Sequence, residues 1–117
     1  MSIKRIVPDF TAEHMDESRT FYTELLGLDL AMDMGWILTF VSPDNPTAQI
    51  NLLQAPTSPV PNPNVSVEVD DVDAVHAKAV EIGLPIIYPL TTEPWGVRRF
   101  FVKDPNGVMV NVMSHGQ

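Results

Sequence analysis

Apolar and polar positions recur along this chain with two different periods, and the switches between them mark its elements. From Asp16 to Leu26 the apolar residues Phe21, Tyr22, Leu25 and Leu26 fall at i, i+1, i+4 and i+5, which predicts an amphipathic helix. Asp16 suits the cap at its start, and Gly27 the left-handed residue past its end. Asp71 to Ile82 repeats the design, with Val72, Val75, Ala79 and Ile82 on one side, Asp71 as N-cap and Gly83 as terminator.

Period-two segments surround both helices. Ile3 to Phe10 precedes the first, and Val65 to Val69 the second. Each terminal glycine opens a short strand, in Gly27-Leu28-Asp29-Leu30 and Gly83-Leu84-Pro85-Ile86. A Trp-led strand follows in each half, Trp36 to Val41 and Trp95 to Val102. After a turn comes a last strand, Thr47 to Leu53 and Val108 to Met113. Asp104-Pro105-Asn106-Gly107, set between two apolar runs, reads as a hairpin turn. The order βαβββ therefore occurs twice, and an internal repeat of this size outranks any single motif.

Residues 55–63 hold four of the eleven prolines. Proline fixes φ and removes a donor, so this stretch is expected to link the modules without forming a strand. The expected organisation is one domain over 1–117: module one at 1–54, the linker, and module two at 64–117. In Val65–Val69 the residues Asn64, Ser66 and Glu68 face one way and the valines the other. That alternation predicts an α+β fold with helices on one sheet face and a polar, concave hollow on the other.

Composition narrows the function classes. At 117 residues the chain suits a single core. It contains no cysteine, which excludes disulfides, thiol chemistry and thiolate-ligated zinc. A formal charge of −8 disfavours nucleic acid and anionic membranes as partners and favours a cationic small molecule. No apolar run is long enough to span a bilayer. The opening Met1-Ser2-Ile3-Lys4-Arg5 leads into no signal-peptide core, so a cytoplasmic location is expected.

The doubled βαβββ unit, Phe21-Tyr22-x-x-Leu25-Leu26-Gly27-Leu28, Val69-Asp70-Asp71-Val72-Asp73 and Asp104-Pro105-Asn106-Gly107 together resemble the vicinal oxygen chelate superfamily of glyoxalases, bleomycin-resistance proteins and extradiol dioxygenases. The resemblance covers almost the whole chain. It implies two tandem modules in a curved, incompletely closed eight-stranded mixed sheet around a hollow. It implies little about a reaction, because the fold hosts several.

In metalloenzymes of that superfamily, His and Glu from the first and last strands of each repeat hold a divalent ion. Counting back from Phe21-Tyr22 and from Val69-Asp70-Asp71 places the first-strand positions at Val7 and Asn64. The last-strand positions are Asn51 and Asn111. Val has no donor atom, and neutral amides add no charge to offset dehydration of the ion. The expectation is no metal and no other cofactor. The histidines offer no rescue: His14 reads as a solvated or capping residue, His76 as a surface residue of the second helix, and His115 as part of a mobile end.

What remains is aromatic and amide chemistry. Trp36 and Trp95 occupy equivalent places in the two repeats, and Phe40 lies on the strand that Trp36 leads. An indole face stacks a planar ligand or holds a cation, each worth on the order of 1 kcal/mol. Asn51, Asn64 and Asn111 can orient a polar ligand. Asp9 and Glu68 are expected on the concave face as an acid–base pair or a cation trap. Arg98 and Arg99 must point to opposite faces, one of them toward the hollow.

The resemblance is thus to the metal-free bleomycin-resistance branch. Its implied function is to sequester a planar or cationic drug or metabolite, with Trp36, Phe40, Asn51, Asn64, Glu68, Trp95 and Asn111 as the ligand-binding set. The alternative is a lyase, isomerase or oxygenase of the same superfamily. Open sheet edges in such a fold also suggest a homodimer.

Overall fold

The computed structural model describes residues 2–115. Eight strands and two helical segments follow in the order β1 (Ile3–Thr11), α1 (Met15–Thr20) with a π-helical turn (Phe21–Leu25), β2 (Asp29–Asp33), β3 (Ile37–Val41), β4 (Gln49–Leu53), β5 (Val65–Val69), α2 (Val72–Glu81), β6 (Ile86–Thr92), β7 (Val97–Lys103) and β8 (Met109–His115). The repeated βαβββ order is present. The strands form one mixed sheet in the order β2-β3-β4-β1-β5-β8-β7-β6. It is open, with β2 and β6 as its end strands. Among the described residues no helix is long and apolar enough to cross a membrane.

The chain divides into two compact units, Val7–Asn62 and Met1–Ile6 with Pro63–Gln117. The division falls inside β1, so the opening residues of that strand belong with the second repeat. Residues 55–63 form no strand, and Asn62 Nδ2 donates to Thr11 Oγ1 and Gln54 O at 2.9 and 3.0 Å.

In the first unit, Leu38, Phe40 and Leu52 form a core joined by Ala12, Met15, Tyr22, Leu28 and Ile50. β3 runs antiparallel to β4, with Thr39 opposite Asn51, and β4 runs parallel to β1, with Asn51 opposite Asp9. The first helix departs from expectation in two ways. Its cap lies two residues earlier, at His14, without a side-chain cap, and Asp16 lies in the first turn. It also widens into a π turn at Phe21, beside Thr23, whose hydroxyl donates back to Arg19 O and competes with the regular ladder. Only Tyr22 of the expected stripe joins the core, while Phe21, Leu25 and Leu26 are more than half exposed.

In the second unit, Val69, Val72, Ala79, Phe100 and Val112 make the core. Asp71 caps α2 as expected, accepting from Ala74 N at 3.1 Å. Ile82, expected inward, is exposed. His76 is half-buried, its ring edge-on to Phe100 at 5.0 Å. His115 closes β8 opposite Val97, so it belongs to a strand and not to a mobile end.

Two hairpins of this unit use the same turn. Glu93 N donates to Val97 O, and Asp104 N to Val108 O. Pro94-Trp95-Gly96 and Pro105-Asn106-Gly107 form the three-residue loops. Gly96 and Gly107 take φ of +89° and +83°, the left-handed position such loops require. The acid of the second turn accepts from Val108 N and Asn106 N, and these bonds hold Asp104 below the usual carboxylate range. One consequence corrects the sequence reading: both Trp residues lie in turns just before their strands.

Candidate ligand-binding site

Each unit carries a polar pair on the sheet face turned away from its helix. In the first unit, Asn51 Nδ2 donates to Asp9 Oδ1 at 2.9 Å, and Thr39 Oγ1 donates to Asn51 Oδ1 at 2.6 Å. Asp9 is only 4% exposed, so the amide serves to satisfy a carboxylate held away from water. In the second unit, Asn111 stands opposite Ser66 across the parallel β5–β8 ladder, and its Nδ2 donates to Ser66 Oγ at 3.0 Å. Asn111 is 5% exposed, yet its Oδ1 has no hydrogen-bond partner among the described residues. An orphaned amide oxygen at this depth costs about 1–3 kcal/mol unless a donor reaches it.

Beside Asn111 lies a ring cluster. Phe101 is its direct antiparallel partner, and Tyr88 packs on Phe101 with centroids 5.0 Å apart. The Arg99 guanidinium lies 4.9, 5.1 and 5.3 Å from the centroids of Phe101, Tyr88 and Trp95. Glu93 anchors it: Oε2 accepts from Arg99 Nε at 2.7 Å and from Tyr88 Oη at 2.8 Å. Trp95 keeps 40% of its surface exposed. The two arginines do separate, with Arg98 turned to Asp73 of α2 and to Thr92, and Arg99 turned to the ring face.

The other expected residues are placed as follows. Glu68 pairs with Arg5 Nε at 2.5 Å and His115 Nδ1 at 3.0 Å. Burial pushes its carboxyl up, but the bonds with His115 and Arg5 outweigh that and leave it below the usual range. Asn64 binds backbone: its Oδ1 accepts from Met109 N, and its own N donates to Met109 O, both at 2.8 Å. Trp36 is half-buried, and its carbonyl accepts from Gln54 N. Phe40 is fully buried and stacked on Tyr22 at 5.1 Å. It lies on the helix side of β3 while Thr39 takes the other side, so it serves the core. Arg99, Glu93, Tyr88, Phe101, Thr39 and Ser66 were not in the expected set.

A separate cavity of about 280 Å³ opens at the start of α2, lined by Asp70, Asp71, Val72, Asp73 and Ser114. Its carboxylates are engaged: Asp70 accepts from Ser2 N, Asp71 caps α2 and Asp73 holds Arg98.

This doubled architecture has known counterparts. The model of the Glyoxalase/Bleomycin resistance protein/Dioxygenase superfamily matches residues 2–112. The chain belongs to this superfamily. A search of curated protein sequences finds no match. Among solved structures, a superfamily member from Vibrio splendidus shares 16% identity at a TM-score of 0.75, covering 97% of this chain and 99% of that one. Methylmalonyl-CoA epimerase from Mycobacterium tuberculosis shares 16% at 0.72, covering 98% and 88%. A variant of homoprotocatechuate 2,3-dioxygenase from B. fuscum shares 19% at 0.72, covering 99% of this chain and 33% of that one. Such identities speak for the fold alone.

Superfamily membership makes the donor set worth testing against a metal. In the ladders Asn51 faces Asp9 and Asn111 faces Ser66, each two residues beyond the expected first-strand positions Val7 and Asn64. Taken unit by unit, the first offers one carboxylate and one amide already bonded to each other, and the second one hydroxyl and one amide. Such donors supply one negative charge and no imidazole, which does not suit a divalent transition metal. Among the described residues no three His, Asp or Glu side chains gather as a ligand group.

Proposed function

We propose that this superfamily member binds a small planar molecule, a drug or metabolite, and that it does so without a metal. The observation that carries the reading is the state of the expected ligand positions. Asn51 is committed to Asp9, and Asn111 to Ser66, so these side chains act as hydrogen-bonding groups rather than as an ion cage. Beside Asn111, the exposed Trp95 ring and Tyr88 offer flat faces for stacking. The −8 charge favours a cation at long range, but at the rings Arg99 already fills the place a ligand cation would take. Planarity, not positive charge, is therefore the local requirement.

The buried Asp9 supports a second reading, metal-free acid–base catalysis. Solved structures with the same fold include an epimerase and a dioxygenase, each named for its own reaction.

Elemental analysis of purified protein, combined with calorimetric titration of neutral 2-naphthamide, tests the proposal. The expected result is substoichiometric metal, and naphthamide binding that weakens in Trp95→Ala. One tightly held transition metal per subunit would overturn it, as would binding indifferent to Trp95.

A further inference from the structure

The Arg99 guanidinium is backed but only half used. Among the described residues its sole hydrogen bond runs from Nε to one oxygen of Glu93. The Nη1/Nη2 edge, the fork that matches a carboxylate with two parallel bonds, donates to no group of the described residues. The three rings fix the plane of the guanidinium, and Glu93 fixes its roll, so the fork is pre-organised before any ligand arrives. The side chain is 18% exposed, beside the open Trp95.

A second, independent feature lies on the same face. Asn111 pairs with Phe101, and Arg99 pairs with Met113, which makes Arg99 and Asn111 diagonal neighbours on adjacent strands. Diagonal neighbours stand about 7–8 Å apart, within reach of long side chains. Asn111 Oδ1 is thus a buried acceptor lacking a donor among the described residues, diagonal to a cation with two unused donors.

We propose that Arg99 and Asn111 read two ends of one ligand: a planar carboxylic acid that carries an O–H or N–H donor near its carboxylate. The carboxylate meets the Arg99 fork, the donor meets Asn111 Oδ1, and the conjugated plane lies against Trp95 and Tyr88. A monoanion fits better than a phosphate dianion, because one guanidinium already partnered by Glu93 balances little charge and the whole chain is acidic. This inference rests on the proposed function and specifies the ligand class of the same site.

Calorimetry with four matched probes tests it: 2-naphthoate, 3-hydroxy-2-naphthoate, 2-naphthamide and 2-naphthylmethylamine. The naphthoates should bind at least tenfold tighter than naphthamide, and the amine should bind most weakly. The hydroxyl of 3-hydroxy-2-naphthoate should add affinity over 2-naphthoate, and Asn111→Leu should remove that difference between the two probes. Arg99→Lys keeps the charge but loses the fork. It should reduce naphthoate binding about tenfold and naphthamide binding by a much smaller factor, with thermal melting confirming that the variant folds. Should Arg99→Lys not fold, the Trp95 indole N–H signal of wild-type protein decides the matter by shifting with naphthoate at lower concentration than with naphthamide. Equal binding of acid and amide, or tighter binding of the amine, overturns the carboxylate assignment and leaves the planar-ligand reading intact. No binding by any probe overturns both.

Discussion

Asn111 and Ser66 face each other across the β5–β8 ladder and share one hydrogen bond of 3.0 Å, while the second polar atom of the amide, Oδ1, has no partner among the described residues. Replacing the amide by a carboxylate exposes that imbalance. In Asn111→Asp, made in an Arg99→Gln background so that no guanidinium pairs with the new group, the donor to Ser66 is lost and a charge is buried, which raises the folded-state pKa of the new group above its unfolded value near 3.9. Below the unfolded pKa both states are protonated and there is no ionisation penalty. As pH rises the unfolded chain ionises first, and the penalty grows until the folded group titrates. Urea unfolding should therefore show a loss of about 2–4 kcal/mol at pH 7 that shrinks markedly at pH 3.5. A pH-independent loss would show that the group lies in water.

The Asp9–Asn51 pair in the first unit makes the opposite case, a carboxylate that needs its amide. Asn51→Leu removes a charge-assisted bond and a partner of Thr39, and should cost about 2–4 kcal/mol. Asp9→Asn in the same background should cost much less than in wild type, because the charge needing satisfaction has gone. A double-mutant cycle with a coupling near zero would contradict the pairing.

These two pairs show what the sequence made legible. The repeat, the strand order, the cap at Asp71 and the polar face containing Ser66 and Glu68 all follow from period and turn chemistry. The residues facing Asn51 and Asn111, Asp9 and Ser66, did not. Register belongs to the ladder, and a shift of two residues stays on the same face and leaves no trace in the alternation. Arg99 was half legible: one of two adjacent arginines had to face inward. Its partners Tyr88 and Glu93 were hidden because β6 shifts register twice between Ile86 and Thr91, which breaks any count along that strand. Phe40 was misjudged by one position, since its neighbour Thr39 takes the polar side.

Phe40 and Trp95 should accordingly separate stability from binding. Phe40→Ala empties a fully buried site beside Tyr22 and Leu38, and should cost about 3–5 kcal/mol in urea or thermal unfolding. Trp95→Ala, in an exposed turn, should cost less than about 1 kcal/mol while weakening naphthamide binding. If Phe40→Ala proved nearly neutral, the aromatic ring would not be part of the core.

Glu68 links pH to stability. Its bonds with His115 and Arg5 outweigh the opposing effect of burial and hold its folded pKa below the unfolded value. For a depressed carboxyl, the stabilisation is complete above the unfolded pKa, near 4.3, and is lost as pH falls through the folded value. Glu68→Gln should flatten the acid limb of the stability curve below about pH 4.5, and Arg5→Gln should do so in part. An unchanged acid limb in Glu68→Gln would remove this pair from the acid response.

The first helix points to the assembly. Phe21, Leu25 and Leu26 lie at 51, 66 and 53% exposure, although their spacing is that of a core-facing stripe. Leu30 and Met32 on the nearby end strand β2 are also exposed. Surface that is apolar by pattern and uncovered within its own unit suits a second copy of the chain, since a protein with such a patch gains by burying it. We propose a homodimer that uses this surface. Sedimentation should give the dimer mass at micromolar concentration, and Leu25→Glu, which places a charge in the patch, should shift it to the single-subunit mass with little change in unfolding midpoint. A wild-type mass of one subunit throughout that range would contradict the dimer. A dimer indifferent to Leu25→Glu would place the interface elsewhere.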